Sequence, residues 1–233
     1  DNVFVEIGRA QGLLPLKNFS PDRLPEPNLL HPHRIVNRLP AALSALARLF
    51  HPSRRRTHMT QTVPNTAPPG REIATLAARR PDLHVVITGR NAERGAKVKA
   101  ALEAKKVKTV FVQADLVKLA EVRKVVAACD AAFGRIDALV NAAALTDRGT
   151  IWDTTEARYD ELFDANVKAP FFLMQDALHL MKKAKVSGTI VNILSMSGHG
   201  GQDFLTAYST TKGALAVLTR NVAYAVMRYR IRV

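Results

Sequence analysis

Short apolar runs alternate with longer, helix-like segments from residue 70 to the end of this 233-residue chain. The runs are rich in Val, Ile and Leu and lack polar alternation, which is typical of strands buried on both faces of a parallel sheet. Because consecutive parallel strands need a crossover, the alternation predicts right-handed βαβ units in an α/β fold, a doubly wound parallel sheet with helices on both faces. The predicted strands are residues 83–88, 108–114, 136–141, 188–194 and 230–233, and the predicted helices are residues 71–80, 91–105, 116–133, 154–185 and 207–228.

The N-terminal part of the chain has a different composition. Ten of the 12 prolines fall within residues 1–70, and three arginines stand together at 54–56. Each proline fixes φ and removes a backbone donor, so this density disfavours a packed sheet or helical domain. We therefore expect residues 1–62 to form a disordered, Pro/Arg-rich extension and residues 63–233 to form the folded domain. His31 and His33 have no further ligands near them in the sequence, and no metal site is expected.

The overall composition is that of an ordinary cytoplasmic enzyme domain. With 47% hydrophobic residues the chain can bury a substantial core, and its single cysteine, Cys129, excludes an internal disulfide. No apolar run approaches the roughly 18 residues of a membrane span. The net charge of +14 would allow contact with nucleic acid, but the basic residues are scattered and no zinc-ligand spacing or basic-aromatic stripe accompanies them. We expect neither nucleic acid nor a membrane as a partner.

Tyr208 and Lys212 carry the strongest chemical signal. They are four residues apart in a predicted helix and therefore share one face. A nearby cation favours the phenolate, which lowers the pKa of a tyrosine and allows proton exchange with an oxygen at neutral pH. Ser195 lies 13 residues before Tyr208, directly after a predicted buried strand, at the edge where open parallel sheets bind ligands. The alternative interpretations are a surface Tyr–Lys pair and a serine that bonds its own backbone, and Ser197 is a second candidate serine.

In their order and spacing these features resemble the short-chain dehydrogenase/reductase family over about residues 70–233. The matching segments are VITGRN at 86–91, DL at 115–116, NAAA at 141–144, NV at 166–167, Ser195, and YSTTK at 208–212. The resemblance implies a Rossmann-like fold and an oxidoreductase that transfers a hydride between NADP(H) and a carbonyl or secondary alcohol substrate. It also implies a homodimer or homotetramer.

The resemblance further implies roles for individual side chains. Tyr208 corresponds to the general acid, Lys212 to the residue that lowers its pKa and holds the nicotinamide ribose, and Ser195 to a hydrogen-bond donor to the substrate oxygen. Asn166 corresponds to a residue that kinks its helix and holds a water beside Lys212, and the alternative is a plain helix-surface position. The expected cofactor contacts are Gly70, Gly89, Arg90, Asp115, Leu116, Asn141, Ala142, Ala143, Tyr208 and Lys212.

The end of the second predicted strand indicates the choice of cofactor. Where an acid would bind the ribose hydroxyls of NAD, this chain has Gly89 followed by Arg90. With no carboxylate to repel a 2′-phosphate, NADP(H) is expected to be preferred over NAD(H).

Two parts of the chain depart from the family pattern. The glycine-rich turn T-G-x-x-x-G-x-G aligns with residues 63–70, where Gly70 is kept but Pro64 and Pro68 replace the other two glycines. Proline removes the amide donors and the conformational freedom that a pyrophosphate cradle needs. The first strand, at 58–63, is polar and expected to be weak, and the last strand of the family is missing. We therefore expect a truncated domain with weak NADP(H) binding and little activity; the alternative function is a catalytically silent dehydrogenase-like protein that acts at most through association.

Overall fold

A computed structural model describes the backbone of residues 58–62 and the whole of residues 83–233. The strands are β1 His58–Thr62, β2 His84–Gly89, β3 Lys108–Gln113, β4 Ala138–Asn141 and β5 Thr189–Asn192. The helices are α1 Ala92–Glu103, α2 Leu119–Phe133, α3 Glu156–Phe163, α4 Ala169–Lys183 and α5 Thr206–Val226, with shorter helical turns at Asp164–Lys168, Met196–Gly198 and Met227–Tyr229. The extension before residue 58, with His31 and His33, and the helix predicted at 71–80 lie outside the described residues.

The five strands form one parallel sheet in the order β3-β2-β1-β4-β5. The order reverses at β1, because the chain first builds outward through β2 to β3 and then crosses to β4 on the other side. This topology confirms the predicted α/β fold with a doubly wound parallel sheet. The carboxyl ends of β1 and β4 flank the crevice where such sheets bind their ligands.

The first strand occupies the centre of the sheet despite its polar sequence. His58 is in register with His84 of β2, and Met59 is in register with Ala138 of β4, so the strand has a partner on each edge. Five residues therefore enter the sheet from before the boundary that the sequence placed at residue 63. A strand between two others satisfies its backbone groups on both edges, which explains why a weak strand sequence is held there.

The C-terminal residues begin to pair where the sequence predicts a further strand. The Arg232 amide donates to the Gly188 carbonyl over 3.1 Å, and the Ile190 amide donates to the Arg232 carbonyl over 2.7 Å. The described chain therefore ends as a short parallel bridge beside β5.

Alternate strand residues face two different helical layers. Val86 and Leu139 point into a core shared with α2 and α4, whereas Val85 and Val140 point into a second core shared with α1. Helices therefore cover both faces of the sheet, as a buried parallel sheet requires. None of the helices within the described part of the chain is both long enough and apolar enough to cross a membrane.

The helix predicted at 154–185 is interrupted in its middle. Between α3 and α4 the chain makes one wider turn, in which the Ala169 amide bonds to the carbonyl of Asp164, five residues back. Such π turns are rare and occur often at functional sites. This turn contains Asn166, and Pro170 follows it in the first turn of α4.

Candidate active site

Ser195, Tyr208 and Lys212 lie at the carboxyl edge of the sheet. Ser195 follows β5 and begins the turn Met196–Gly198, while Tyr208 and Lys212 stand on successive turns at the start of α5. Tyr208 is 9% exposed and Lys212 is 4% exposed. This burial excludes the interpretation of Tyr208 and Lys212 as a surface pair.

Gly198 lets the turn that carries Ser195 lie directly on α5. A Cβ at this position would stand 3.0 Å from the Gly213 nitrogen and 3.1 Å from the carbonyl carbon of Lys212. The turn and the helix therefore touch through backbone atoms, and this contact brings Ser195 to Tyr208. The sequence analysis did not single out Gly198 or Gly213, because a glycine in a loop is too common to be a signal by itself.

The hydroxyl of Tyr208 interacts with that of Ser195. Burial raises the pKa of Tyr208 above its ordinary value, and the hydrogen bond with Ser195 opposes this rise. The Ser195 hydroxyl also lies 2.9 Å from the Ser197 hydroxyl and accepts a 3.3 Å hydrogen bond from the Ser197 amide. The alternative interpretation was a serine that bonds only the nearby backbone. Ser195 makes that bond, with the Ser197 amide, and also interacts with Tyr208.

Lys212 does not lower the pKa of Tyr208 in this structure, which corrects the expectation from the sequence. Its ammonium group donates a 2.9 Å hydrogen bond to the carbonyl oxygen of Ile193 and lies 5.8 Å from the centroid of the Tyr208 ring. Burial lowers the pKa of Lys212 itself to about 8. The Lys212 side chain extends past the phenol of Tyr208 to the end of β5. Desolvation by burial is therefore the main cause of the pKa shifts of both Tyr208 and Lys212.

Asn166 is buried in the π turn and bonds to backbone rather than solvent. Its side-chain oxygen accepts from the Leu145 amide over 2.7 Å, and its nitrogen donates to the Leu145 carbonyl over 2.8 Å. With an exposure of 1%, it is not a helix-surface residue. Asn166 therefore bonds both the amide and the carbonyl of Leu145, in the loop after β4, as the backbone of a neighbouring strand would.

Thr211 joins Asn166 to the helix that carries Tyr208. The Asn166 nitrogen donates to the Thr211 hydroxyl over 3.0 Å, and this hydroxyl donates to the Tyr208 carbonyl over 2.7 Å. Thr211 is fully buried. Sequence reasoning missed it, although its place directly before Lys212 on the inner face of the helix was a usable signal.

A cavity of about 340 Å³ opens at the carboxyl ends of β2, β3 and β4. Its lining includes five of the predicted cofactor contacts, which are Gly89, Arg90, Asp115, Leu116 and Ala143. It also includes residues that sequence reasoning did not select, among them Thr88, Asn91, Arg94, Ala144, Leu145 and Thr146. Arg94 could have been found, because it follows Arg90 by four residues and adds a second cation to the same region.

The other five predicted cofactor contacts do not line this cavity, and two of them, Tyr208 and Lys212, belong to the group around Ser195 described above. Asn141 and Ala142 are buried beneath it, and Asn141 donates a 2.8 Å hydrogen bond to the side chain of Asn192 on the neighbouring strand. The side-chain oxygen of Asn141 is buried without a hydrogen-bond partner among the described residues. Gly70 lies outside the described residues.

The chemistry of the lining fits the adenosine end of a dinucleotide. Arg90 and Arg94 supply positive charge for phosphate oxygens, and Leu116, Ala143 and Ala144 supply apolar wall for a flat base. The cavity also lies at the carboxyl edge of a doubly wound sheet, where dinucleotides bind in such folds.

Residues 69–233 match the family model described as short chain dehydrogenase. The chain belongs to the short-chain dehydrogenase family. Over 122 residues it is 37% identical to galactitol 2-dehydrogenase of Agrobacterium fabrum, which covers 52% of this chain and 48% of that protein. Over 164 residues it is 35% identical to an uncharacterized oxidoreductase of Thermotoga maritima, which covers 70% of this chain and 64% of that protein. The chain thus spans about half to two thirds of the length of these relatives.

Solved structures of short-chain dehydrogenases have the same fold. A metagenomic short-chain oxidoreductase in complex with NADP superposes with a TM-score of 0.68 at 26% identity, covering 76% of this chain and 80% of that one. An NAD⁺-bound xylitol dehydrogenase superposes with a TM-score of 0.68 at 26% identity, covering 77% of this chain and 69% of that one. The predicted family is therefore confirmed, and the shared fold holds NADP in one neighbour and NAD⁺ in the other.

Proposed function

We propose that this short-chain dehydrogenase transfers a hydride between NADP(H) and a small carbonyl or secondary alcohol substrate. The observation that carries the proposal is the burial of Tyr208 at the ligand-binding edge of the sheet. Its hydroxyl interacts with Ser195, and the ammonium group of Lys212 lies 5.8 Å from the centroid of its ring. A phenol in this position, with a second hydroxyl and an ammonium group close to it, suits proton exchange with a substrate oxygen.

Tyr208 and Ser195 act on the substrate oxygen. In reduction, Tyr208 donates its proton to the carbonyl oxygen, and in oxidation it accepts the proton of the alcohol. Because burial raises the pKa of Tyr208, its hydroxyl is protonated at neutral pH, which suits the reductive direction. Ser195 donates a hydrogen bond to the same oxygen as negative charge develops there, a contribution of about 10²–10³ in rate for one such donor.

Lys212 lies on the same helix face as Tyr208, with its ammonium group 5.8 Å from the centroid of the Tyr208 ring. Because this group is bonded to the Ile193 carbonyl and does not offset the effect of burial on the pKa of Tyr208, we assign it the return of a proton to Tyr208 rather than the lowering of that pKa. With a pKa of about 8, Lys212 is mostly charged at pH 7 and still close enough to its titration to pass a proton back to Tyr208. We assign the nicotinamide ribose hydroxyls to the same ammonium group.

Asn166 holds the proton-transfer groups in place. Its hydrogen bonds to the Leu145 backbone and to Thr211 connect the loop after β4 with the first turns of α5. The π turn places this side chain inside the fold. We also assign to Asn166 the role of holding a water molecule beside Lys212.

The nucleotide cavity supports a preference for NADP(H) over NAD(H). When bound, the cofactor supplies the hydride in reduction and accepts it in oxidation. The adenosine end would lie among Gly89, Arg90, Asp115, Leu116 and Ala143, over the buried Asn141 and Ala142, with Gly70 assigned to the pyrophosphate turn. Arg90 and Arg94 both line the cavity, and no carboxylate follows β2 to compete with a 2′-phosphate.

Exposed apolar side chains on the helices support a homodimer or homotetramer. Large apolar side chains that remain exposed on α3, α4 and α5 are available for contact with a second copy of the chain. They are Tyr159 on α3, Phe171 on α4, and Val217 and Tyr224 on α5.

The proposed chemistry is tested by Tyr208→Phe, with Tyr224→Phe as a control at an exposed tyrosine. NADPH oxidation is followed with a panel of small carbonyl compounds, and NADP⁺ reduction with polyols, since one relative is named for galactitol. The variants are made in a version with the glycine-rich turn and the C-terminal part of the family restored, because the chain as it stands is expected to have little activity. In that version we expect Tyr208→Phe to abolish turnover with NADPH affinity nearly unchanged, Ser195→Ala to lose several hundred-fold, and the control to be active. Undiminished turnover in Tyr208→Phe would contradict the assignment.

The prolines of the glycine-rich turn favour a second candidate function, a catalytically silent protein that acts through association. Pro64 and Pro68 stand where the family has glycines that present amides to the pyrophosphate. The double substitution Pro64→Gly/Pro68→Gly separates the two functions. An enzyme weakened by these prolines should gain NADPH affinity and turnover, whereas a silent protein should show neither before or after the change.

A further inference from the structure

The segment between β3 and α2 forms one wall of the nucleotide cavity. Asp115, Leu116 and Val117 all line it. Two hydrogen bonds close this turn locally, since the Lys118 amide donates to the Asp115 carbonyl over 3.0 Å and the Val117 amide donates to the Asp115 carboxylate over 3.3 Å. Both bonds use acceptors of Asp115, so the amide of Asp115 needs an acceptor from elsewhere.

Glu121 supplies that acceptor from the first turn of α2. Its carboxylate accepts a 2.6 Å hydrogen bond from the Asp115 amide. A glutamate in the third position of a helix commonly bonds the amide of the residue that precedes the helix. That residue is Lys118, whose side chain makes no cap. Glu121 instead reaches three residues further back along the chain, into the wall of the cavity.

The electrostatic surroundings keep this carboxylate charged. The hydrogen bond from the Asp115 amide lowers the pKa of Glu121 below its ordinary value, and the charges of Lys118 and Lys124 act in the same direction. Lys118 stands 3.8 Å from the second carboxylate oxygen, and the carboxylate of Asp115 is the acidic group in the adjoining turn. At neutral pH the contact is therefore a charge-assisted hydrogen bond, which is stronger than one between neutral groups.

We propose that Glu121 is a positioning residue for nucleotide binding, whose carboxylate fixes the Asp115–Val117 wall against which the adenosine end of the cofactor lies. This inference rests on the proposed nucleotide site. Glu121 acts through the backbone of Asp115 and is not assigned a contact with the nucleotide. Without it the Asp115 amide loses its acceptor and the wall loses its tie to α2.

The test compares Glu121→Ala and Glu121→Gln with Glu103→Ala, a control that removes a carboxylate paired only with Lys99 in the described structure. Dissociation constants for NADPH and for 2′,5′-ADP are measured by calorimetry, and hydrogen exchange of the Asp115 amide by NMR. Glu121→Ala should weaken both ligands about tenfold and accelerate exchange at Asp115, because a hydrogen bond to a charged group is lost. Glu121→Gln, which keeps an acceptor oxygen, should lie between Glu121→Ala and the unaltered chain, and Glu103→Ala should match the unaltered chain.

A pH series separates this role from general destabilisation. The pKa of Glu121 is lowered, so the tie is present above that pKa and is lost as the pH falls through it. Protonation of the phosphates of 2′,5′-ADP weakens binding on the acid side in every variant, and the affinity of the unaltered chain should fall further than that of Glu121→Gln as the pH drops through the pKa of Glu121. Unchanged affinity in Glu121→Ala, or Asp115 exchange that is unaffected, would overturn the positioning role alone. A failure of both the unaltered chain and its Pro64→Gly/Pro68→Gly version to bind either nucleotide would overturn the proposed function together with it.

Discussion

The ammonium group of Lys212 donates a hydrogen bond to the carbonyl oxygen of Ile193, at the end of β5, over 2.9 Å. This contact anchors the first turns of α5 to the edge of the sheet, two residues before Ser195. It also leaves Lys212 buried without a carboxylate as a partner among the contacts that the structure describes, and burial lowers its pKa to about 8. The same contact that organises the site therefore makes the stability of the domain depend on pH.

Lys212→Met should flatten the pH dependence of stability on the alkaline side. The unfolded lysine, with an ordinary pKa of 10.5, holds its proton more tightly than the folded one. The free energy of unfolding of the unaltered chain should therefore rise between about pH 8 and 10, by at most about 3 kcal/mol in total for a shift of this size. Urea unfolding at a series of pH values measures this slope, and an equal slope in Lys212→Met would show that another group is responsible.

Thr211→Val should destabilise the domain by about 1–3 kcal/mol, because it removes the buried hydroxyl that accepts from the Asn166 amide and donates to the Tyr208 carbonyl. Thr211→Ser keeps the hydroxyl and should lie within about 1 kcal/mol of the unaltered chain. Thr210→Val is the matched control, since Thr210 is exposed and its hydroxyl bonds only to the Thr206 carbonyl in the described structure. Chemical denaturation measures all three, and equal losses at 210 and 211 would argue against a special role for the buried hydroxyl.

Gly198→Ala should displace the turn that carries Ser195. The new Cβ would press on the backbone of Gly213 and Lys212, at a cost of about 1–3 kcal/mol for overpacking. Because the hydrogen bond with Ser195 opposes the rise in the pKa of Tyr208, losing it should raise that pKa further. Gly200→Ala is the control, since a Cβ there meets nothing within 4 Å. Thermal unfolding measures the loss of stability, and NMR titration of labelled tyrosine measures the pKa of Tyr208. An unchanged pKa of Tyr208 would show that Gly198 does not place Ser195 against it.

Arg90→Ala should weaken NADP(H) binding far more than NAD(H) binding, by about tenfold or more for the former, because a charge-assisted contact with the 2′-phosphate is lost. Arg220→Ala, at an exposed position on α5, controls for the change in net charge. Fluorescence titration with the two reduced cofactors measures the difference. Equal weakening of both would show that Arg90 does not distinguish the phosphate.

The surroundings of Asn166 and Tyr208 show where prediction from the sequence ends. The family resemblance implied that Asn166 kinks its helix, and the structure has a π turn there. The partners of Asn166 could not be predicted, because Leu145 and Thr211 come from segments that only the packed fold brings to it. The direction of the Tyr208 pKa was predicted wrongly for the same reason, since a four-residue spacing fixes a shared helix face but neither the depth of burial nor the reach of the lysine.

The sequence by itself determined the α/β architecture, the family, and the helix face and strand end that carry Tyr208, Lys212 and Ser195. These are consequences of local periodicity and of motif spacing, which the chain carries in linear order. Only the tertiary structure decided that Glu121 holds the Asp115 amide, that Arg94 joins Arg90 at the cavity, and that Gly198 lies against α5. Each of these depends on how closely separate segments approach, and that distance is set by the packing of helices on the sheet rather than by any pattern along the chain.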